Sequence, residues 1–358
     1  MKAIKIGNKT LSIPIIQGGM GIGVSLGNLA GSVMNQGGMG VISAANPGFK
    51  RKDFYKNNLV ANLEQLAIEI NKAKTIAKNK GILAVNVMVA GNDYVPLIKQ
   101  AVKSKVDAII SGAGLPLNLP SITKGYRVAI APIVSSAKAA SLICRVWEKK
   151  YGVVPDFIVI EGPDAGGHLG FTKQSLVEKT HQNLATILAE VKKVVIPFQQ
   201  RFQRKIPIFV AGGIFTGQDI AQYVKAGADG VQMGTRFIGT HECDAPESFK
   251  QVYLNATKEE ITLVGSPVGM PGRAINNQFA KVIADRRVPV KRCTDCLIPC
   301  NPKNTPYCIS QALVNAVSHN NDEGLFFTGV NGHRINKLVS VKALIEELMQ
   351  EFIEAMEG

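Results

Sequence analysis

Residues 161–170 read EGPDAGGHLG. The histidine, His168, stands among small residues just after the apolar run Phe157-Ile158-Val159-Ile160, and a carboxyl group, Glu161, sits at the junction. Imidazole titrates near neutrality, so it can give or take a proton. Glycines around it let a ligand approach with little steric hindrance. The plainer alternative is a histidine that braces its own loop by bonding to backbone. The other histidines, His181, His241, His319 and His333, have no comparable setting and read as structural or exposed.

Two further stretches carry a phosphate-type signal, FVAGGIFTGQDI (209–220) and GADGVQMGTRF (227–237). Glycine amides at the start of a helix make a site for an anion. Gly212 and Gly213 would supply amides from the first stretch. Gly234 and Thr235 would supply the second, Thr235 with its hydroxyl as well. The alternative is that these glycines only make tight turns. A phosphate does not name its ligand, since flavin mononucleotide (FMN), a nucleotide and a sugar phosphate all present one. Near the N-terminus, PIIQGGMG places Gly19 and Met20 where a planar ring could lie against exposed backbone. Asn86, in AVNVM, is an amide at the end of an apolar run, suited to a ligand or to bracing a loop. Cys293, Cys296, Cys300 and Cys308 cluster in CTDCLIPCNPKNTPYC. Thiolates so spaced could hold zinc or an iron–sulfur cluster. With Pro299, Pro302 and Pro306 the loop could equally be stiff and purely structural.

These residues need a framework. Apolar runs at 13–17, 40–43, 82–86, 107–110, 128–134, 156–160, 206–210 and 229–233 read as strands buried on both faces of a parallel sheet. Helix-length segments lie between them, among them Asn62–Asn79, Ser136–Lys149, Asn183–Arg201 and Gly217–Ala226. Eight βα units predict a closed TIM (β/α)₈ barrel, with the small-residue strand ends gathered at its C-terminal mouth. An open doubly wound sheet would also alternate, but eight strands favour the barrel. Residues 1–260 are assigned to the barrel. Residues 261–358, with the cysteine cluster and a terminal helix over Val341–Met356, are assigned to an extension packed on it.

The 358-residue chain is 46% hydrophobic, ample for a large core, and has no apolar run long enough for a bilayer. The N-terminus lacks the apolar core of a secretory signal, so a cytoplasmic protein without a membrane partner is expected. The net charge of +14 could attract nucleic acid or other anions. The densest basic stretches, Lys192 to Lys205 and Arg286 to Arg292, lack interleaved aromatics. They read as a solvated helix face and a loop, and nucleic acid is not expected as a partner.

The set PIIQGGMGIG, GGMGVIS, AVNVM, EGPDAGGHLG, AGGI, GADGVQMGTRF and SPVGMPGRAI resembles the nitronate monooxygenase family, formerly the 2-nitropropane dioxygenases. Flavin-dependent enoyl-acyl-carrier-protein reductases are its close relatives. The resemblance covers roughly residues 10 to 280. It implies a TIM barrel with non-covalent FMN at its mouth. Carried over by motif, Asn86, Glu161 and Gly166 would touch the flavin, and Gly19, Met20 and Gly167 are expected beside them in the cofactor site. Gly212, Gly213, Gln232, Met233, Gly234 and Thr235 would hold its phosphate side, and His168 would be the catalytic residue. The implied reaction is oxidation of an alkyl nitronate by oxygen. The alternative is NAD(P)H-dependent reduction of an enoyl thioester. A third reading, of another class, is a basic barrel that binds a phosphate ligand or nucleic acid without redox chemistry. Many of the monooxygenases carry Gln at the position of Glu161, whereas the reductases often carry Glu. The basic residue that some members place after strand five has no match here, since Lys138 falls inside the helix. The oligomeric state is left open, a homo-oligomer included.

Overall fold

The computed structural model describes residues 2–78 and 80–358. Eight parallel strands close into a barrel: β1 (Ile15–Gln17), β2 (Met39–Ser43), β3 (Ile82–Met88), β4 (Ala108–Gly112), β5 (Ala129–Val134), β6 (Ile158–Glu161), β7 (Ile208–Ala211) and β8 (Gly230–Met233). Each forms within two residues of the bounds expected from its apolar run. The TIM barrel is therefore the fold, with further helices beyond β8.

Strand parity divides the apolar residues between two cores. At β6, Val159 and the preceding Phe157 belong to the barrel interior while Ile158 and Ile160 pack against the surrounding helices. On β3, Ile82 and Ala84 face inward, and Leu83 and Val85 face the helices. The phenyl rings of Phe157 and Phe209 meet edge to face at 5.6 Å inside the barrel. An N-terminal hairpin, Ile4–Ile6 with Lys9–Leu11, adds Ile6 and Leu11 to the same interior cluster.

Aspartates just before β4, β6 and β8 tie these strands to their neighbours. Asp107, Asp156 and Asp229 accept the backbone N–H groups of Leu83, Ile130 and Ile208 at 2.8, 2.8 and 2.9 Å. Lys9, Arg204 and Lys205 pair with these carboxylates in turn.

The outer ring comprises α1 (Gly27–Asn35), α2 (Asn58–Ala77), α3 (Tyr94–Lys103), α4 (Leu119–Ile122), α5 (Ala137–Tyr151), α6 (Leu184–Phe202), α7 (Gly217–Lys225) and α8 (Val341–Glu357). α2 starts four residues before its expected first residue, and its expected last residue, Asn79, lies outside the described residues. Side-chain caps set the starts of α5 and α6: Ser136 accepts Ala139 N–H before α5, and Asn183 accepts Thr186 N–H before α6. Thr216 and Asp219 form a capping box at the start of α7. α8 packs against α7 and α1, with Leu344, Ile345 and Leu348 in the shared core. The chain thus returns to the ring after residues 234–340 have crossed the barrel mouth.

That crossing segment contains a hairpin, β9 (Ile261–Gly265) and β10 (Pro271–Ile275). β10 also pairs antiparallel with the two-residue strand Gly167–His168, placing Gly272 opposite His168 and Arg273 opposite Gly167.

Candidate active site

A cavity of about 310 Å³ opens at the C-terminal mouth of the barrel. All thirteen residues singled out from the sequence line it: His168, Gly19, Met20, Asn86, Glu161, Gly166, Gly167, Gly212, Gly213, Gln232, Met233, Gly234 and Thr235. The parity that turns Phe157 and Val159 inward also turns Glu161 inward. Register extends this last inward layer around the barrel: Ser43 stands opposite Asn86, Glu161 opposite Ala211, and Ala211 opposite Gln232.

The cradle on the β7–β8 side is backbone-built. Gly212 and Gly213 have φ of +97° and +80°, the left-handed region that favours glycine. Thr235 Oγ1 accepts the Gly329 N–H at 2.9 Å, which leaves its own hydroxyl proton to donate. A Cβ built on Gly234 would point at Met20, 3.5 Å from Sδ, so the bare backbone leaves room at that wall. The side chains of Asn86, Glu161 and Gln232 make no hydrogen bond to protein among the described residues, and all three line the cavity. Amides, a hydroxyl and unpartnered polar tips around an opening of this size fit the phosphate and ring edges of a flavin.

Two titratable groups share the cavity. Burial against the barrel wall pushes the Glu161 carboxyl up to about 8 and the His168 imidazole down to about 4. Each keeps some surface open, but protein walls surround both, and that enclosure removes the water that would solvate a charge. Near pH 7 Glu161 is a neutral acid able to donate, and His168 is a neutral base. His168 Nε2 lies 2.7 Å from Ser266 Oγ, and Phe327 stands edge-on to the imidazole at 5.2 Å.

The crossing segment supplies the roof, which sequence reasoning missed. Arg273, buried, donates to the carbonyls of Pro163 (2.7 Å) and Ala165 (2.5 Å), and so holds the EGPDAGGH loop. Gly166 lies against the backbone of Thr328 and Gly329, where a Cβ would come within 2.5 Å. Asn331 donates to Gly213 O at 2.6 Å. An arginine inside the apolar strand Pro271–Ile275 was the one local hint, because a buried guanidinium must find acceptors.

The cysteine-rich loop covers another side of the mouth. Ile298 N–H bonds to Ala90 O and Asn92 N–H to Cys296 O, and Cys296 and Leu297 line the cavity. Cys293 is exposed, and Cys296, Cys300 and Cys308 are half-buried free thiols. Among the described residues no three Cys, His, Asp or Glu side chains form a metal-ligand group. Nor, among the described residues, is any helix long and apolar enough to cross a membrane.

The chain forms a (β/α)₈ barrel whose mouth gathers glycine backbone, the Thr235 hydroxyl and two titratable side chains, Glu161 and His168, in one cavity. The chain belongs to the nitronate monooxygenase family, matching it over residues 2–351; the family's members are flavin-dependent oxidoreductases. It is 26% identical over 301 residues to a probable nitronate monooxygenase of Staphylococcus aureus (strain Newman), covering 75% of this chain and 77% of that one. It is also 26% identical over 266 residues, 74% of this chain, to a Rhodococcus jostii protein named (3aS,4S,5R,7aS)-5-hydroxy-7a-methyl-1-oxo-octahydro-1H-indene-4-carboxyl-CoA dehydrogenase, and spans 63% of that relative's length. The fold is similar to that of FabK from Thermotoga maritima, with a TM-score of 0.73, 24% identity, and coverage of 96% of this chain and 94% of that one.

Proposed function

We propose that the protein binds FMN at this mouth and oxidises alkyl nitronates with molecular oxygen. The observation that carries the proposal is the meeting of His168, Glu161 and the glycine cradle in one cavity. Gly212, Gly213, Gly234 and Thr235 would hold the phosphate through amides and a hydroxyl. Gly19, Met20, Asn86, Gly166, Gly167, Gln232 and Met233 would surround the rest of the cofactor. Bound FMN supplies the redox chemistry, taking electrons from the substrate and passing them to oxygen. His168, as a neutral imidazole, accepts the α-proton of a nitroalkane or hydrogen-bonds the nitro oxygens of a nitronate. Glu161, protonated, donates a hydrogen bond without bringing a negative charge to an anionic substrate.

The second reading, an NAD(P)H-dependent enoyl-acyl-carrier-protein reductase, draws support from Glu161 and from the apolar wall made by Val268, Leu297 and Phe327. An anaerobic visible spectrum of FMN-loaded protein separates the two. Bleaching by a small alkyl nitronate supports the monooxygenase. A spectrum unchanged by nitronate but bleached by NADH or NADPH moves the assignment to the reductase. Failure to take up FMN would overturn both.

A further inference from the structure

The hairpin that carries SPVGMPGRAI reaches the site through one side chain. Ser266, the residue after β9, places Oγ 2.7 Å from His168 Nε2. The same oxygen accepts the Val268 N–H at 3.3 Å, which orients it within the turn. Its neighbour Gly265 is held by the buried Tyr307, whose hydroxyl donates to Gly265 O at 2.9 Å. On the opposite strand Arg273 ties the hairpin to the backbone of Pro163 and Ala165, three to five residues before His168. Serine and histidine are therefore fixed to one another by strand pairing as well as by their own hydrogen bond.

We propose that Ser266 is a positioning residue for His168: its Oγ accepts the Nε2–H proton, which holds the ring in the tautomer with a bare Nδ1 and leaves Nδ1 as the base that serves the substrate. Among the described residues Nδ1 has no hydrogen-bond partner, and the ring lines the cavity. A histidine whose second nitrogen is held keeps its tautomer and orientation, the arrangement that acid–base work requires. The proposal rests on the reading of His168 as the acid–base group.

The test uses full-length protein labelled with ¹⁵N-histidine, with and without FMN, as wild type, Ser266→Ala and Ser266→Thr. His168 is assigned by the signals lost in His168→Ala. In wild type one His168 nitrogen is protonated and the other bare. In Ser266→Ala the two signals move toward each other as both tautomers populate, and kcat falls about 10- to 100-fold with KM nearly unchanged, the scale of a misplaced catalytic group. Ser266→Thr, which keeps the hydroxyl, restores both. Should alanine lower stability, Ser266→Cys gives the same comparison with a weaker hydrogen-bonding group. Wild-type nitrogen shifts in Ser266→Ala would overturn the proposal. Undiminished turnover in His168→Ala would instead overturn the catalytic reading on which it rests, and the nitrogen shifts tell the two failures apart.

Discussion

Replacing Glu161 by Gln should remove a pH dependence of stability that the wild type shows even without cofactor or substrate. In FMN-free protein the carboxyl titrates at about 8 instead of its ordinary 4.5, because burial disfavours the carboxylate. A folded-state value above the unfolded one means that the native state holds an extra proton between the two. The associated stability is fully present below about pH 4.5 and is lost as the pH rises through about 8. Within that window the loss is about 1.4 kcal/mol per pH unit, or about 3 kcal/mol between about pH 5.5 and pH 7.5. Glutamine carries no such proton, and the variant shares every other titrating group. Denaturant unfolding of both proteins at the two pH values measures the difference directly. The wild type should lose about 3 kcal/mol relative to Glu161→Gln on going to the higher pH. Equal pH dependence in the two proteins would refute the assignment of Glu161 as a neutral acid, and with it the hydrogen bond it is given toward substrate.

Two further substitutions test the site itself. His168→Ala should keep bound flavin and cut turnover about 10²- to 10⁴-fold, the usual contribution of a general acid or base; steady-state kinetics on flavin-loaded protein decide, and unchanged turnover would remove the histidine from the mechanism. Gly234→Val should fold, because a Cβ there meets Met20 at ordinary contact distance, yet purify without FMN because the added carbons enter the cradle. Flavin content after denaturation gives the readout, and full occupancy would place the phosphate elsewhere.

Much of the framework was legible because its signals are local. A strand buried on both faces writes a continuous apolar run, and a polar residue at its end stands out, as Asn86, Glu161 and Gln232 do. Glycines in a strand-to-helix turn are equally visible. The roof was not legible. Ser266 meets His168, and Arg273 meets Pro163, only through the pairing of β10 with Gly167–His168, about a hundred residues away in sequence. Such a register leaves no periodicity in either segment. The place of the cysteine loop was hidden for a related reason: its spacing left a metal site and a stiff structural loop equally open, and only its backbone bonds to the loop after β3 put it at the wall of the mouth.

The charge of the chain and the charge of its cavity point in opposite directions. Forty-one Lys and Arg residues face 27 Asp and Glu overall, yet no Lys or Arg is among the described residues that line the cavity. Its ionisable groups include Asp93, Glu161, Asp164 and His168. Burial keeps Glu161 and His168 neutral near pH 7, and Asp164 has the Arg273 charge nearby. After β5 too the mouth receives no cation, since Lys138 lies within α5 and is not among the lining residues. A phosphate held by Gly212, Gly213, Gly234 and Thr235 would be bound through aligned N–H dipoles and a hydroxyl, which need no side-chain cation. It also bears on substrate: a nitronate entering this site would meet hydrogen-bond donors and no formal positive charge from the lining. Its recognition would therefore depend on the geometry of His168 and Glu161 more than on Coulomb attraction, the first set by the roof and the second by β6.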